Sequence, residues 1–249
     1  MKTASLPWLV INMAITADGK ICGPRASTNT PPDARMARFS SAADHRRLLR
    51  IRSTCDAVIS GRKTVEADRV DLGPGSTYWQ QRRVRQGLSP FNKRIVISSS
   101  GKIQPTCHVY QYPFSHLLIA TTDAGLERSG PVAQTTDWIQ AHSFGKTHVN
   151  LHALLAWLGA HWQVHRVVAE GGGELNDALF RDGLVDELFL TVCPIIFGGT
   201  THGTLADGMG ASNLGEAYGL RCVEHQTRNG EQFLRFLKSR PARVQALKA

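Results

Sequence analysis

The chain has 249 residues, 42% of them hydrophobic and 20% charged, which is ordinary for a globular protein with a sizeable core. The apolar run at residues 6–17 is interrupted by polar residues, lacks a small-residue cleavage site and is too short to span a bilayer. We therefore expect a soluble, cytoplasmic protein. The formal net charge of +9 is spread along the chain, which suits either attraction of anionic ligands or an ordinary solvated surface, and makes nucleic-acid binding a weaker alternative.

Apolar runs bounded by turn residues predict a series of strands. In chain order they are residues 8–15, 56–62, 93–99, 116–122, 165–171 and 186–198, followed by a pair at 220–228 and 231–238. That last pair flanks Asn229-Gly230, a strong hairpin signal.

Helical spacing of leucines and flanking stop signals predict helices between these strands. The helices are expected at residues 41–52, 149–162 and 174–181, with polar loops at 24–33 and 73–92. Strands alternating with helices favour a mostly parallel sheet wound by right-handed crossovers, and the closing hairpin adds an antiparallel edge. No internal repeat is present, so we predict one α/β domain over residues 1–249.

The five cysteines are scattered and none forms a CxxC pair, so neither a disulfide framework nor a zinc ribbon is expected. Cys55, Cys193 and Cys222 lie in or beside strand-like runs and are predicted to be buried thiols. His148 and His152 have the i, i+4 spacing of a metal pair, but the glutamate of HExxH is missing and no metal site is predicted.

Three consecutive glycines, Gly171, Gly172 and Gly173, separate a predicted strand from a predicted helix. A bare backbone at a helix N-terminus lets phosphate oxygens approach free N–H groups closely. The pattern is neither GxGxxG nor a Walker loop. It is compatible with a pyrophosphate site or with a tight turn that binds nothing.

A second apolar strand ends in the same way, at residues 59–64 with the sequence ISGRKT. Gly61 is followed at once by Arg62, Lys63 and Thr64, two cations and a hydroxyl that suit an anion with several acceptor oxygens. An ordinary solvated strand end is the alternative. Two glycine-ended strands in one sheet favour a dinucleotide lying across the sheet edge.

Four motifs in this order resemble the reductase domain of the riboflavin-pathway deaminase–reductase family, which has the dihydrofolate-reductase fold. They are NMAITADGK at 12–20, DAVISGRKTVEAD at 56–68, RIVISSSGKI at 94–103 and the run at 167–199. The resemblance covers residues 9–237 and is poorest at 24–38 and 73–92. It implies a three-layer α/β fold with a mostly parallel central sheet and an antiparallel C-terminal hairpin.

The resemblance also implies a reaction, the NADPH-dependent reduction of the ribosyl group of 5-amino-6-(5-phosphoribosylamino)uracil to the ribityl product, and a homodimer. Asp18 and Glu170 would act on the substrate. The implied cofactor contacts are Ala14, Gly61, Arg62, Lys63, Thr64, Asp68, Ser99, Gly171, Gly172, Gly173, Glu174 and Leu175, with Arg62 facing the 2′-phosphate as in the similar dihydrofolate-reductase motif. The implied substrate contacts are Asn12, Phe39, Ser40, Arg52, Leu72 and Glu170.

Several alternatives remain open at this stage. Asp18-Gly19 is also a good turn pair, Arg52 could be a solvated helix end, and Glu170 could be stabilised merely by a helix dipole. A dihydrofolate-reductase-like or other NADPH-dependent pteridine or pyrimidine reductase is the second enzyme hypothesis, with Asp44 as its helix carboxylate. A basic nucleic-acid-binding module and a non-catalytic member of the fold are weaker hypotheses. The chain has no zinc-deaminase motif, so another protein would perform deamination.

Overall fold

A computed structural model of the chain describes residues 5–24, 40–67, 70–133 and 136–239. Its strands are β1 (Trp8–Thr16), β2 (Lys20–Pro24), β3 (Ala57–Gly61), β4 (Lys93–Ile97), β5 (Leu117–Thr121), β6 (Ile139–Ser143), β7 (Arg166–Ala169), β8 (Glu187–Cys193), β9 (His202–Thr204), β10 (Leu220–Arg228) and β11 (Glu231–Lys238). Its α-helices are α1 (Ala42–Arg52), α2 (Arg62–Ala67), α3 (Thr77–Arg85), α4 (Asp123–Ala133), α5 (Leu151–Trp162) and α6 (Gly173–Arg181).

Nine strands form one sheet in the order β10-β11-β8-β1-β7-β3-β4-β5-β6. The pairs from β8 to β6 are parallel, whereas β11 is antiparallel to both of its neighbours. The hairpin that joins β10 to β11 turns at Asn229 (φ 51°) and Gly230 (φ 82°), two left-handed residues that match the twist of the strands. The predicted parallel sheet and its antiparallel C-terminal hairpin are therefore confirmed.

Two hydrophobic layers cover the two faces of this sheet. Leucines of α5 and α6, such as Leu154 and Leu179, pack with Leu9, Ile11 and Ile59 on one face. Ile51 of α1 and Val65 of α2 pack with Val10, Val58 and Val96 on the other. Successive residues of each strand face opposite layers, so both faces are apolar and the strands read as continuous hydrophobic runs. The arrangement is the predicted three-layer fold.

The stretch at 73–92 was expected to be a surface loop, and that expectation is wrong. It contains α3, whose Arg83 is buried against the end of α1. The hydrophobic pattern of the sequence does not reveal this helix, because TYWQQRRVR is mostly polar and its buried residue is an arginine. Helix α4 and strands β2, β6 and β9 were not predicted either, and the predicted strand at 186–198 ends at Cys193.

The three cysteine predictions have different outcomes. Cys55 and Cys193 are buried, as predicted, and burial raises the pKa of both thiols, that of Cys55 to about 11 and that of Cys193 to about 12. Cys222 is exposed, so the prediction of a buried thiol there is wrong. It lies on β10, one of the two edge strands, and no other described strand pairs with its outer side.

Candidate active site

The two glycine bends lie side by side at the carboxyl edge of the sheet. β3 and β7 are parallel neighbours, so the chain leaves both at the same rim. The backbone N–H of Glu170 donates to the carbonyl oxygen of Ile59 at 2.8 Å, and the N–H of Gly172 donates to Oγ1 of Thr64 at 3.1 Å. One hydroxyl thus connects the helix that follows β3 with the bend that follows β7.

The glycines of these bends differ in what surrounds them. Among the described residues, a Cβ atom on Gly61 would meet nothing within 4 Å, and one on Gly172 would meet only Oγ1 of Thr64 at 3.5 Å. A Cβ on Gly171 would lie 3.1 Å from the backbone N of Gly61, and one on Gly173 would lie 2.6 Å from the carbonyl oxygen of Thr204. Within the described part of the chain, Gly61 and Gly172 are therefore open to a ligand. Gly173 is required by the close approach of Thr204, and Gly171 leaves little room for a side chain beside Gly61.

Helix α6 starts directly behind these bends. Its N-cap is Gly172, which has no side chain that could cap the first turn. The start of a helix carries unsatisfied N–H groups and the positive end of the helix dipole, which favour an anion. An open glycine in front of such a helix suits a phosphate group.

The basic residues that follow Gly61 make ion pairs near this rim. Nη1 of Arg62 lies 2.5 Å from Oε2 of Glu66, and its side chain remains 27% exposed. Nζ of Lys63 lies 2.9 Å from Oε1 of Glu174, so an exposed ion pair joins the two bends. Ser99 is exposed beyond the end of β4, and Asp68 lies outside the described residues.

A buried ion pair lies beside the glycine bends. Nε and Nη2 of Arg52, at the end of α1, donate to the two carboxylate oxygens of Glu170 at 2.8 and 2.5 Å. Nη1 of Arg52 donates to the carbonyl oxygen of Gly73 at 2.6 Å. The two side chains are only 7% and 11% exposed. Burial alone would lower the pKa of Arg52, but the adjacent carboxylate outweighs it and the pKa is raised, so the guanidinium stays charged.

Two polar residues flank Glu170 on neighbouring strands. Ile11, Ala169 and Ile59 are level with one another in the sheet, so the next residues, Asn12, Glu170 and Ser60, form a row on the face covered by α1. Oδ1 of Asn12 and Oγ of Ser60 are buried and make no hydrogen bond within the described part of the chain. Buried polar atoms of this kind favour a partner that a ligand can supply.

Of this row, Ser60 was not predicted from the sequence. The alternation of side chains along β3 was the available signal, because it places Ser60 on the face opposite to Ile59 and level with Glu170. A serine within an apolar strand does not stand out without the register of its neighbours.

Asp18 lies at the turn between β1 and β2, and its carboxylate accepts three hydrogen bonds from the protein. It accepts hydrogen bonds from Oγ1 of Thr16 at 2.5 Å and from the backbone N–H groups of Phe197 at 3.1 Å and Gly198 at 2.7 Å. The hydrogen bond from Thr16, followed by those from the backbone, holds the pKa of Asp18 well below its usual range. The residue anchors the loop after β8 to the start of β2.

The remaining predicted contacts are spread around the same region. Ala14 is a partly exposed residue of β1 paired with Thr191 on β8, and Ser40 precedes α1. Leu72 is buried in the hydrophobic core with a left-handed backbone (φ 60°), so its side chain is not available to a ligand. Leu175 is also a core residue. Phe39 lies outside the described residues.

The fold and the arrangement of the site define the class of protein to which this chain belongs. A mostly parallel sheet in three layers, with its antiparallel C-terminal hairpin, is a dihydrofolate-reductase-like fold. The chain belongs to the family described as the RibD C-terminal domain, whose model matches residues 7–233.

Relatives and solved structures agree with this assignment. The 2,5-diamino-6-ribosylamino-4(3H)-pyrimidinone 5′-phosphate reductase of Methanothermobacter thermautotrophicus is 30% identical over 228 residues, covering 89% of this chain and 93% of the relative. The protein of the same name from Archaeoglobus fulgidus is 29% identical, over 91% and 95% of the two chains. The structure of Acinetobacter baumannii RibD superposes with a TM-score of 0.72 at 18% identity, covering 94% of this chain and 58% of that one.

Proposed function

We propose that this chain is the reductase of riboflavin biosynthesis that converts the ribosyl group of a 6-ribosylaminopyrimidine 5′-phosphate into a ribityl group, with NADPH as reductant. The observation that carries the proposal is the adjacency of two open glycine bends, joined through Thr64, to the buried pair of Arg52 and Glu170. The first feature suits a dinucleotide and the second suits a polar ring, and both lie at one rim of the sheet.

The residues at the rim fit a nicotinamide dinucleotide. Gly61, Gly172 and the start of α6 would hold the pyrophosphate, and the side chain of Thr64 lies between them. Arg62, with Lys63 and Ser99, would hold a 2′-phosphate, since a guanidinium presents several donors to phosphate oxygens. When bound, the reduced nicotinamide supplies the hydride. This chain's own part is to orient the two reactants and to exclude water.

The row of Asn12, Glu170 and Ser60 would bind the pyrimidine. Each carboxylate oxygen of Glu170 accepts more than one hydrogen bond, so it can take donors from the ring amines while it stays paired with Arg52. Arg52 keeps N–H groups beyond those it gives to Glu170 and Gly73, because a guanidinium carries five. Asp18, held ionised by its three donors, would act by fixing the loop at residues 194–199 over the site and not by releasing a proton.

Two substrates of this class differ at one ring position. The resemblance in sequence points to 5-amino-6-(5-phosphoribosylamino)uracil, whereas the archaeal relatives that match nearly end to end are named for the 2,5-diaminopyrimidinone. A carboxylate and an amide oxygen in the polar row are acceptors, and the 2-amino group is a donor. We therefore propose that both are accepted and that the diamino compound is preferred.

The dihydrofolate alternative is weakened by Asp44. That hypothesis needs a free helix carboxylate for the pterin ring. Asp44 is buried on α1 and accepts a hydrogen bond from Oγ1 of Thr191 at 2.6 Å, so it is already used within the protein.

The test offers the purified protein NADPH together with the diaminopyrimidinone phosphate, the uracil phosphate or dihydrofolate, and follows nicotinamide oxidation. We expect oxidation with the two pyrimidines, a product heavier by two hydrogens, and none with dihydrofolate. Glu170→Gln is the matched control and should lose most of the activity while still binding NADPH. Tight NADPH binding without turnover of either pyrimidine would instead indicate a non-catalytic member of the family.

The state of the protein in solution is also a proposal. From the resemblance we infer a cytoplasmic protein with one domain per chain that forms a homodimer. Sedimentation equilibrium would test the homodimer. Among the described residues, no helix has the length and apolar character needed to cross a membrane.

A further inference from the structure

Helix α3 brings a buried arginine to the end of helix α1. Nη1 of Arg83 donates to the carbonyl oxygens of Arg52 at 2.8 Å and Cys55 at 2.5 Å. Its Nε donates to the carbonyl oxygen of Ser89 at 2.8 Å. Arg83 is only 1% exposed, so it cannot touch a ligand in the site.

Asn92 reaches the same two carbonyl groups. Its Nδ2 donates to the oxygen of Arg52 at 2.9 Å and to that of Cys55 at 2.7 Å, and the residue is fully buried. The last carbonyl groups of a helix need donors, and a neutral amide is enough to supply them. Capping alone therefore does not account for the presence of Arg83.

Burying Arg83 is costly. Desolvation lowers the pKa of its guanidinium, with the charge of Asp56 acting weakly in the opposite direction. Within the described residues no carboxylate forms a salt bridge with it. A buried cation without a carboxylate is unfavourable unless several acceptors surround it. Here the acceptors are main-chain carbonyls: that of Arg52 at the negative end of α1, that of Cys55 just beyond it, and that of Ser89 after α3.

Arg52 is the residue at which these contacts meet the site. Its carbonyl group accepts from the side chains of Arg83 and Asn92 and from the backbone N–H of Cys55 at 3.2 Å. Its guanidinium donates to Gly73 and Glu170. Both its main chain and its side chain are thus fixed. A shift of the main chain at Arg52 would move the Glu170 carboxylate with it, because the two side chains share three hydrogen bonds.

We propose that Arg83 is a positioning residue for substrate binding: by fixing the carbonyl group of Arg52 it sets, through the Arg52 guanidinium, where the Glu170 carboxylate meets the pyrimidine. The proposal rests on the proposed function for the role of Glu170 toward the substrate. It assigns to α3, which lies in the stretch with the poorest resemblance to the family, a direct consequence for the active site.

The test compares Arg83→Lys with Arg94→Lys. Arg94 is a matched control, since it too is fully buried and holds main-chain carbonyls, those of Val109 and Ser115, but it makes no hydrogen bond with α1. We expect Arg83→Lys to raise the KM for the pyrimidine phosphate by about ten- to a hundredfold, the effect of a small misplacement, with kcat and the Kd for NADPH nearly unchanged. Arg94→Lys should lower Tm to a similar extent and leave KM unchanged.

A purely structural role for Arg83 would lower Tm without changing KM, and that result overturns the proposal. If Arg83→Lys does not fold, Asn92→Ser removes the other side-chain donor to the Arg52 carbonyl and gives the same test. Combination with Glu170→Gln separates the routes. The double variant should have the KM of Glu170→Gln alone, whereas additive increases would contradict action through Glu170.

A wild-type protein that oxidises no NADPH with any pyrimidine phosphate would refute the proposed function and still leave the positioning testable. In that case the denaturation midpoints of Arg83→Lys, Glu170→Gln and the double variant are compared. If Arg83 acts through Glu170, we expect the double variant to be no less stable than the less stable of the two single variants. Fully additive losses of stability would overturn the positioning role as well.

Discussion

At the scale of single residues, Asp18 shows how a carboxylate in a predicted active-site motif can serve the fold by accepting hydrogen bonds from the protein. Its three hydrogen-bond donors are the hydroxyl group of Thr16 and the backbone N–H groups of Phe197 and Gly198, in the loop that follows β8. A carboxylate surrounded by donors stays ionised, so it is poorly suited to release a proton during the reaction. Its place in the sequence motif is compatible with either role, and only the contacts distinguish them.

Asp18→Asn is predicted to destabilise the loop at 194–199 in a pH-dependent way. The folded-state pKa of Asp18 lies below that of the unfolded chain, about 3.9. Its contribution is therefore complete above about pH 4 and is lost as the pH falls through the folded-state pKa. The difference in unfolding free energy between wild type and variant, measured by urea titration, should be present at neutral pH and shrink in acid.

A difference that does not depend on pH would contradict the anchoring role. The same variant tests the catalytic hypothesis. If Asp18 acts on the substrate, the variant binds NADPH normally but turns over poorly, and unchanged turnover would remove Asp18 from the mechanism.

Arg62→Ala is predicted to weaken NADPH binding far more than NADH binding. The side chain is partly exposed and is held by Glu66 beside the open Gly61, where it can meet a 2′-phosphate. Hydrogen bonds to charged groups contribute about 1.5–3 kcal/mol, so the Kd for NADPH should rise roughly ten- to a hundredfold. Titration of both cofactors by fluorescence measures this, with Glu66→Gln as the control that frees the guanidinium. Equal losses for NADPH and NADH would contradict a contact with the 2′-phosphate.

At the scale of elements, the glycine bend before α6 serves two purposes at once. Gly172 faces open space beside Thr64, whereas Gly173 lies against the loop that carries Thr204 and Asp207. The backbone N–H of Asp207 donates to the carbonyl oxygen of Gly173 at 3.0 Å. Three glycines in a row therefore combine one position suited to a ligand, one with little room for a side chain and one that the packing of the protein requires.

Gly172→Ala and Gly173→Ala form a matched pair that separates these purposes. The first adds a methyl group that meets Oγ1 of Thr64 at an ordinary distance, so stability should change little while NADPH affinity falls. The second places a methyl group 2.6 Å from a main-chain oxygen, and the overpacking should cost about 1–3 kcal/mol. Calorimetric Tm and NADPH Kd together check this, and equal Tm losses for the two variants would contradict the distinction.

Elements were predictable from the sequence where the hydrophobic pattern carries the information. Apolar runs such as those of β3 and β7 can be recognised because both faces of the sheet are covered. Helix α3 could not be recognised, because its buried residue is Arg83, which patterns treat as exposed. The short strand β6 has one large apolar residue, Ile139, and α4 contains Pro131 in its last turn, so both lack clear signals.

At the scale of the whole molecule, the site could be predicted as a region but not in its contacts. Parallel strands that end in glycine imply a common rim, and the structure places Gly61 beside Gly171. Three features of the site join residues that are far apart in sequence. They are the hydrogen bond between Thr64 and Gly172, the polar row that includes Ser60, and the hydrogen bonds from the loop after β8 to Asp18. Such contacts depend on strand register, which local patterns do not specify.

The order of the sheet has a consequence for biosynthesis of the chain. Among the described strands, β1 pairs only with β7 and β8, which leave the ribosome long after it, and β3 reaches β1 through β7. At the ordinary rate of translation the first strand waits about 10–30 s for its neighbours. A nascent polypeptide of this topology carries an unpaired apolar segment for that time, which makes chaperone capture at residues 8–16 an expected stage of its synthesis.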